Sequence, residues 1–272
     1  MSVALVTDST AYLTPQLAAE LGVRVVPLHV TLGDWSFDEP DVDAAEFYRR
    51  LRGGDAKPTT SQPSPGEFLA AFTAAADEGA HEILCITCTA GMSGTHQSAR
   101  LAARMAPLPI EVIDSGTISG GLLLTVGSVA RAVAAGATFA DAVLLAKSMA
   151  GRVWSTWSAD TTALMRAGGR LSDDVPEGVT ILGLEDGVRV LGAARSVEES
   201  VQLQAATILA AAASTPTRIT VGHGDVPELA DALEQALVGK PGVLGIDRYV
   251  VGPVVGAHAG PGNFGASYLV GG

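Results

Sequence analysis

Val3-Ala4-Leu5-Val6-Thr7 carries no charge and reads as a strand buried on both faces. The segments after it set the rhythm of the fold. Thr14 offers an N-cap, Pro15 suits a first helical position and Gly22 a stop, so a helix comes next. A second extended run, rich in valine, covers 23–32. Ser64-Pro65-Gly66-Glu67 has the form of a capping box ahead of a helix over 68–78, which Gly79 ends. Ile83 to Thr87 makes a third strand, with a helix over 96–105 behind it. Glu111-Val112-Ile113 makes a fourth, also trailed by a helix, and Thr138-Phe139-Ala140-Asp141 caps one more. Strands that alternate with helices in this way predict a parallel sheet covered on both faces.

Beyond Arg152 the rhythm changes. The runs 180–185 and 188–195 flank Asp186-Gly187, a type I′ hairpin signal, so an antiparallel pair is expected there. Ser196-Val197-Glu198-Glu199 caps an alanine-rich helix, and two further strand–helix units and a glycine-rich tail finish the chain. The reading is α/β: a Rossmann-like parallel domain over 1–151 and a smaller α+β domain over 152–272.

Composition narrows the function. With 17 Lys+Arg against 29 Asp+Glu the chain carries a net charge of −12, which repels phosphate backbones and anionic bilayers. No nucleic-acid partner is expected. Mean hydropathy is +0.32, yet the uncharged run around Leu122-Leu123-Leu124, 115–130, is interrupted by Gly, Ser and Thr. It falls short of the ~18 apolar residues of a membrane span and fits a buried helix. The opening residues lack the basic start of a signal peptide, and a cytoplasmic monomer is expected. Cys85 and Cys88 form a C-x-x-C pair inside a β-type run, where residues three apart face opposite sides. A redox pair needs a helix start and a structural zinc two more ligands, so both are expected as buried, reduced thiols.

Ligand crevices of parallel sheets lie at the carboxyl ends of the strands. Four polar clusters fall at or near such ends: Asp8-Ser9-Thr10, Thr59-Thr60-Ser61-Gln62, Ser93-Gly94-Thr95 and Asp114-Ser115. Each places hydroxyls and backbone N–H groups beside a helix start, which suits an anion; each is also an ordinary cap or turn. Gly91-Met92-Ser93-Gly94-Thr95 nearly matches a nucleophile elbow, with Asp247 and His258 in the chain order of a hydrolase triad. Thr95 stands where the second glycine belongs, and no oxyanion segment is present, so a serine hydrolase using Ser93 and His258 is the alternative reading. Gly260 to Gly265 matches G-x-G-x-x-G, but too near the end of the sequence for the helix and acidic partner of a dinucleotide site. It is read as a turn that aims His258 inward. No two histidines have ligand spacing, so neither a metal nor another cofactor is expected.

Taken in order, Asp8-Ser9-Thr10, Pro27-Leu28, Thr60-Ser61-Gln62-Pro63-Ser64, Ser93-Gly94-Thr95, Asp114-Ser115, Gly168-Gly169-Arg170 and Gly252-Pro253-Val254-Val255-Gly256-Ala257-His258-Ala259-Gly260-Pro261-Gly262 resemble the DegV family over essentially the whole chain. Members of that family include the fatty-acid-binding subunits of bacterial fatty acid kinase. The resemblance implies a two-domain fold with a lipid tunnel between the domains and a non-catalytic carrier of a long-chain fatty acid. It further implies that Thr60, Ser93 and His258, with Ser61 and Gly94 beside them, hold the acyl carboxylate. A separate ATP-using kinase would then phosphorylate it. Two segments depart from the family pattern: Thr89-Ala90 replaces a Ser-Ser pair, and Ala193-Ala194-Arg195, followed by Glu198-Glu199, replaces a basic stretch. Arg195 survives there and is the candidate to face the kinase. About fifteen buried methylenes at ~0.8 kcal/mol each give roughly 12 kcal/mol before ordering costs, so the chain supplies affinity and the head supplies orientation.

Overall fold

The computed structural model describes residues 3–54, 56–159, 161–171, 175–185 and 187–271. In chain order the elements are β1 (Val3–Asp8), α1 (Pro15–Leu21), β2 (Val23–Val26), β3 (His29–Leu32), β4 (Trp35–Asp38), α2 (Ala44–Arg52), β5 (Pro58–Ser61), α3 (Pro65–Asp77), β6 (Glu82–Thr87), α4 (Thr95–Ala103), β7 (Ile110–Asp114), α5 (Gly120–Ala134) and α6 (Phe139–Met149). After these come β8 (Val153–Ser158), α7 (Ala163–Ala167), β9 (Val179–Leu184), β10 (Val188–Ala194), α8 (Val197–Ser214), β11 (Thr217–Gly224), α9 (Pro227–Leu237), β12 (Val243–Val250), α10 (Pro253–Ala259) and β13 (Asn263–Val270).

The alternating first half forms a four-stranded, all-parallel sheet in the order β2-β1-β6-β7. Its helices begin where local chemistry says they should. The Thr14 hydroxyl accepts from Leu17 N, and Gly22 closes α1 with φ +64°. Ser64 and Glu67 close a reciprocal capping box on α3, and Thr138 and Asp141 another on α6. The β6 strand is buried on both faces: Cys85 packs with Phe68 and Phe72 under α3, while Leu84, Ile86 and, just past the strand, Cys88 pack with Leu122 and Leu124 of α5. Both thiols are free and buried, with their pKa raised by burial.

The uncharged run becomes α5, whose residues Leu122, Leu124, Val126 and Val129 are buried. They pack at once against Leu5, Leu84 and Ile113 of the parallel sheet and against Leu269 and Val153 of a second sheet. A helix covered on opposite sides has no polar stripe, which explains the absence of charge. That second sheet has six strands in the order β10-β9-β8-β13-β11-β12, antiparallel except for the β11–β12 pair. The β9–β10 hairpin matches expectation; Asp186 of its turn lies outside the described residues. No helix among the described residues is long and apolar enough to cross a membrane.

Three expectations are corrected. The run 23–32 is not one strand: Pro27 lacks the N–H a ladder needs and breaks it, so β2 joins the parallel sheet and β3 a separate antiparallel sheet, β4-β3-β5. Thr60 and Ser61 therefore lie within β5, paired with Val30 and His29, and not at the end of a parallel strand. The glycine-rich tail is a turn only as far as Gly262. Beyond it β13 runs buried through the middle of the six-stranded sheet, between β8 and β11.

Candidate functional site

One cavity of ≈ 490 Å³ is lined by all five residues expected to hold a head group: Thr60, Ser61, Ser93, Gly94 and His258. Its size falls within the ~300–1,000 Å³ of small-molecule sites. The elements that bring these residues together are distant in sequence. β5 supplies Thr60 and Ser61, the turn before α4 supplies Ser93 and Gly94, and the last turn of α10 supplies His258. Ser61 and Gln62 are exposed while lining the cavity, so it opens to solvent beside them. Other walls are apolar, with Ile118, Trp157, Met165, Leu184, Val251 and Phe264 among them.

Thr60 Oγ1 lies 2.9 Å from His258 Nε2. Burial, and then the positive charge of Arg170, push the His258 pKa down to about 4, so the ring is neutral at physiological pH. Arg170 itself lines the cavity and donates to Gly168 O at 2.6 Å. A Cβ placed on Gly168 would stand 3.2 Å from both Arg170 Nη1 and His258 Nδ1, which shows how closely the two side chains converge. On the other side, Gln62 lies flat on Gly94, where a Cβ would come within 1.9 Å of Gln62 Oε1, and its amide donates to Ser98 Oγ at 3.0 Å. Gln62 thus fixes the gap between β5 and the Ser93–Gly94 turn.

The near-elbow does not assemble a triad. The Ser93 hydroxyl is 2.8 Å from Thr95 Oγ1, and His258 is turned to Thr60. Asp247 sits on β12, where its carboxylate is 4.0 Å from Arg218, and among the described residues no carboxylate lies within ion-pair reach of His258. Of the four polar clusters, Asp8-Ser9-Thr10 backs the cavity: Asp8 accepts from Thr10 N, Thr10 Oγ1 and Cys88 N, and both Thr10 and Cys88 line the wall. Asp114-Ser115 does not reach it. Asp114 accepts from Ala90 N and Gly116 N, stabilising two turns. Arg195 is 91% exposed at its side chain and folds onto Glu199, donating from Nη2 at 2.8 Å and from its backbone N at 2.6 Å; these bonds hold Glu199 down at about 2. Among the described residues no cluster of potential metal ligands is present.

Two cavity-side groups have contacts that a reading of the sequence alone does not give. Arg170 and Gln62 sit inside the segments Gly168-Gly169-Arg170 and Thr60-Ser61-Gln62-Pro63, but only the tertiary path of α7 and α4 reveals what they face.

The profile of the DegV family, a family of uncharacterised proteins, matches residues 2–270. A DegV domain-containing protein of Streptomyces coelicolor is 32% identical over 97% of this chain and 96% of its own. One of Halalkalibacterium halodurans is 32% identical over 98% of each chain. Among solved structures, a fatty-acid-binding DegV family protein from Thermus thermophilus matches with a TM-score of 0.93 at 28% identity, over 99% of this chain and 100% of that one. DegV of Bacillus subtilis, a fatty acid binding protein, matches with a TM-score of 0.91 over 99% of both chains; at 24% identity that likeness speaks for the fold alone. The chain belongs to the DegV family.

Proposed function

We propose that this protein binds a long-chain fatty acid with its alkyl chain in the cavity and its carboxylate at the Thr60–His258 end. The observation that carries the reading is the convergence of Thr60, Ser61, Ser93, Gly94 and His258 on one largely apolar cavity. Neutral donors suit a carboxylate there. With His258 Nε2–H donating to Thr60 Oγ1, the Thr60 hydroxyl hydrogen is free for the ligand, and Ser93 and the N–H of Gly94 add further donors. Arg170 brings a positive charge to the same end. The protein acts as a carrier: it presents the carboxylate, at the open side marked by Ser61, to a separate ATP-dependent fatty acid kinase, and Arg195 is the residue offered to that partner. Its two structural halves, 1–151 and 152–272, form the two walls of the binding tunnel.

Mass spectrometry of organic extracts from natively purified protein tests this directly. Near one fatty acid per chain is expected. An extract free of acyl chains, with no uptake of added hexadecanoic acid, refutes it.

A further inference from the structure

The helix that carries His258 is short, and its start is satisfied from elsewhere in the chain. Gly252, the N-cap residue of α10, has no side chain to accept a helix N–H. Glu39, just after β4 and only 4% exposed, takes that role: its Oε1 accepts from Val254 N at 2.8 Å and its Oε2 from the Ser9 hydroxyl at 2.6 Å. A Cβ on Gly252 would come within 2.8 Å of Glu39 Oε1, so the approach needs glycine at that point. The next amide, Val255 N, donates to Tyr12 Oη at 3.3 Å. Glu39 is itself fixed from behind, since its N donates to Leu28 O at 2.9 Å and Leu28 N donates to Ser9 Oγ at 3.0 Å. Four residues along the helix from Val254, His258 meets Thr60.

We propose that Glu39 is a positioning residue for the head-group site: by capping α10 from a distant segment it sets where His258 meets Thr60, and its charge state sets how firmly. The proposal rests on reading Thr60–His258 as part of that site.

The groups that face Glu39 are Asp8 at the end of β1, Tyr12, and Tyr48 of α2, and among the described residues no Lys, Arg or His forms an ion pair with it. Burial raises the carboxyl from its ordinary value near 4.5 to about 7; the bonds from Ser9 and Val254 oppose the rise and the charge of Asp8 adds to it. Lifting α10 away lets water reach the carboxyl and returns it toward its ordinary value. The docked state therefore binds the proton more tightly, and docking is firmest with Glu39 neutral. It weakens as pH rises from about 4.5 to about 7 and then levels off. A tenfold change per pH unit sets the ceiling, up to about two orders of magnitude over that window.

The measurement is hydrogen exchange of the 254–260 amides in the full-length, ligand-free protein, corrected for intrinsic rates, from pH 5 to 8. In the wild type, protection should fall at least about tenfold across the range. In Glu39→Gln, which keeps an acceptor for Val254 N and cannot ionise, it should stay level. Equal slopes in the two proteins overturn the proposal. Should Glu39→Gln fail to fold, Ser9→Ala removes a donor to the ionised carboxylate and should move the wild-type fall to higher pH; an unmoved profile also overturns it. Dissociation of hexadecanoate, followed in the same proteins, should quicken with pH more in the wild type than in Glu39→Gln. Loss of the exchange difference refutes the role of Glu39, whereas absence of any hexadecanoate binding refutes only the proposed ligand.

Discussion

Replacing Thr60 with valine removes one hydroxyl and almost nothing else. Valine keeps the branched shape, so the packing of β5 against β3 survives. What is lost is the oxygen 2.9 Å from His258 Nε2, and with it one donor to a bound carboxylate. A hydrogen bond to a charged group is worth about 1.5–3 kcal/mol, which converts to roughly 10- to 150-fold in Kd. In the free protein the cost is smaller, because Nε2 borders the cavity and water can take the place of the hydroxyl. The assay is isothermal titration of wild type, Thr60→Val and Ser93→Ala with hexadecanoic acid and with its methyl ester. Both variants should bind the acid more weakly, by that order. The ester lacks the charge those hydroxyls satisfy and should bind all three proteins alike. Equal losses for acid and ester would refute the reasoning, since the hydroxyls would then be shaping the cavity and not reading the head group.

Arg195→Ala should leave fatty-acid affinity and thermal midpoint unchanged, because an exposed pair with Glu199 stabilises little, yet, on the proposed carrier reading, abolish phosphorylation of the bound fatty acid by a fatty acid kinase. Wild-type turnover in a reconstituted ATP assay would leave the residue as a helix-start ion pair and nothing more. Cys85 and Cys88 should resist maleimide in the native protein at pH 8 and react completely in denaturant, since burial both shields the thiols and suppresses the thiolate. Rapid native labelling of Cys85, which does not line the cavity, would mean that the β6 core opens readily.

The local half of the fold is legible in the sequence because its signals are local. Thr14, Ser64 and Thr138 each satisfy N–H groups within three residues, so the start of each helix is encoded beside it. The uncharged run at 115–130 is legible for a related reason: only burial on two sides tolerates so little polarity. Strand pairing in the six-stranded sheet is different. β13 lies between β8 and β11, and its Ser267 bonds to Ser155 and Thr220, which stand 112 and 47 residues away. Nothing in Asn263-Phe264-Gly265-Ala266 announces those partners. Even the glycines there answer to distant groups: a Cβ on Gly265 would strike the Thr156 carbonyl oxygen at 2.3 Å, and one on Gly222 the Tyr249 ring at 2.1 Å. The site divides the same way. Thr60, Ser61, Ser93, Gly94 and His258 carry chemistry that stands out in short motifs. Glu39, in Asp38-Glu39-Pro40-Asp41, reads as one acid in an acidic surface turn until the fold closes α10 over it.

The charges around the cavity bear on what it can hold. Behind the wall formed by Thr10 and Cys88 lies Asp8, buried and held by three donors with no cation among them; behind Val254 lies Glu39. Burial raises the pKa of both carboxyls, so each is costly to ionise where it stands, and a further anion placed against that wall would raise the cost. Beside His258 the nearby charge is Arg170, while His258 itself is neutral. An alkyl chain is indifferent to these charges, but a carboxylate is not. On the proposed reading a carboxylate held by Thr60 and Ser93 stands near both buried acids, since Ser93 reaches the Cys88 wall through Thr95 and His258 follows Val254 by one helical turn, and Arg170 is the cation that offsets them.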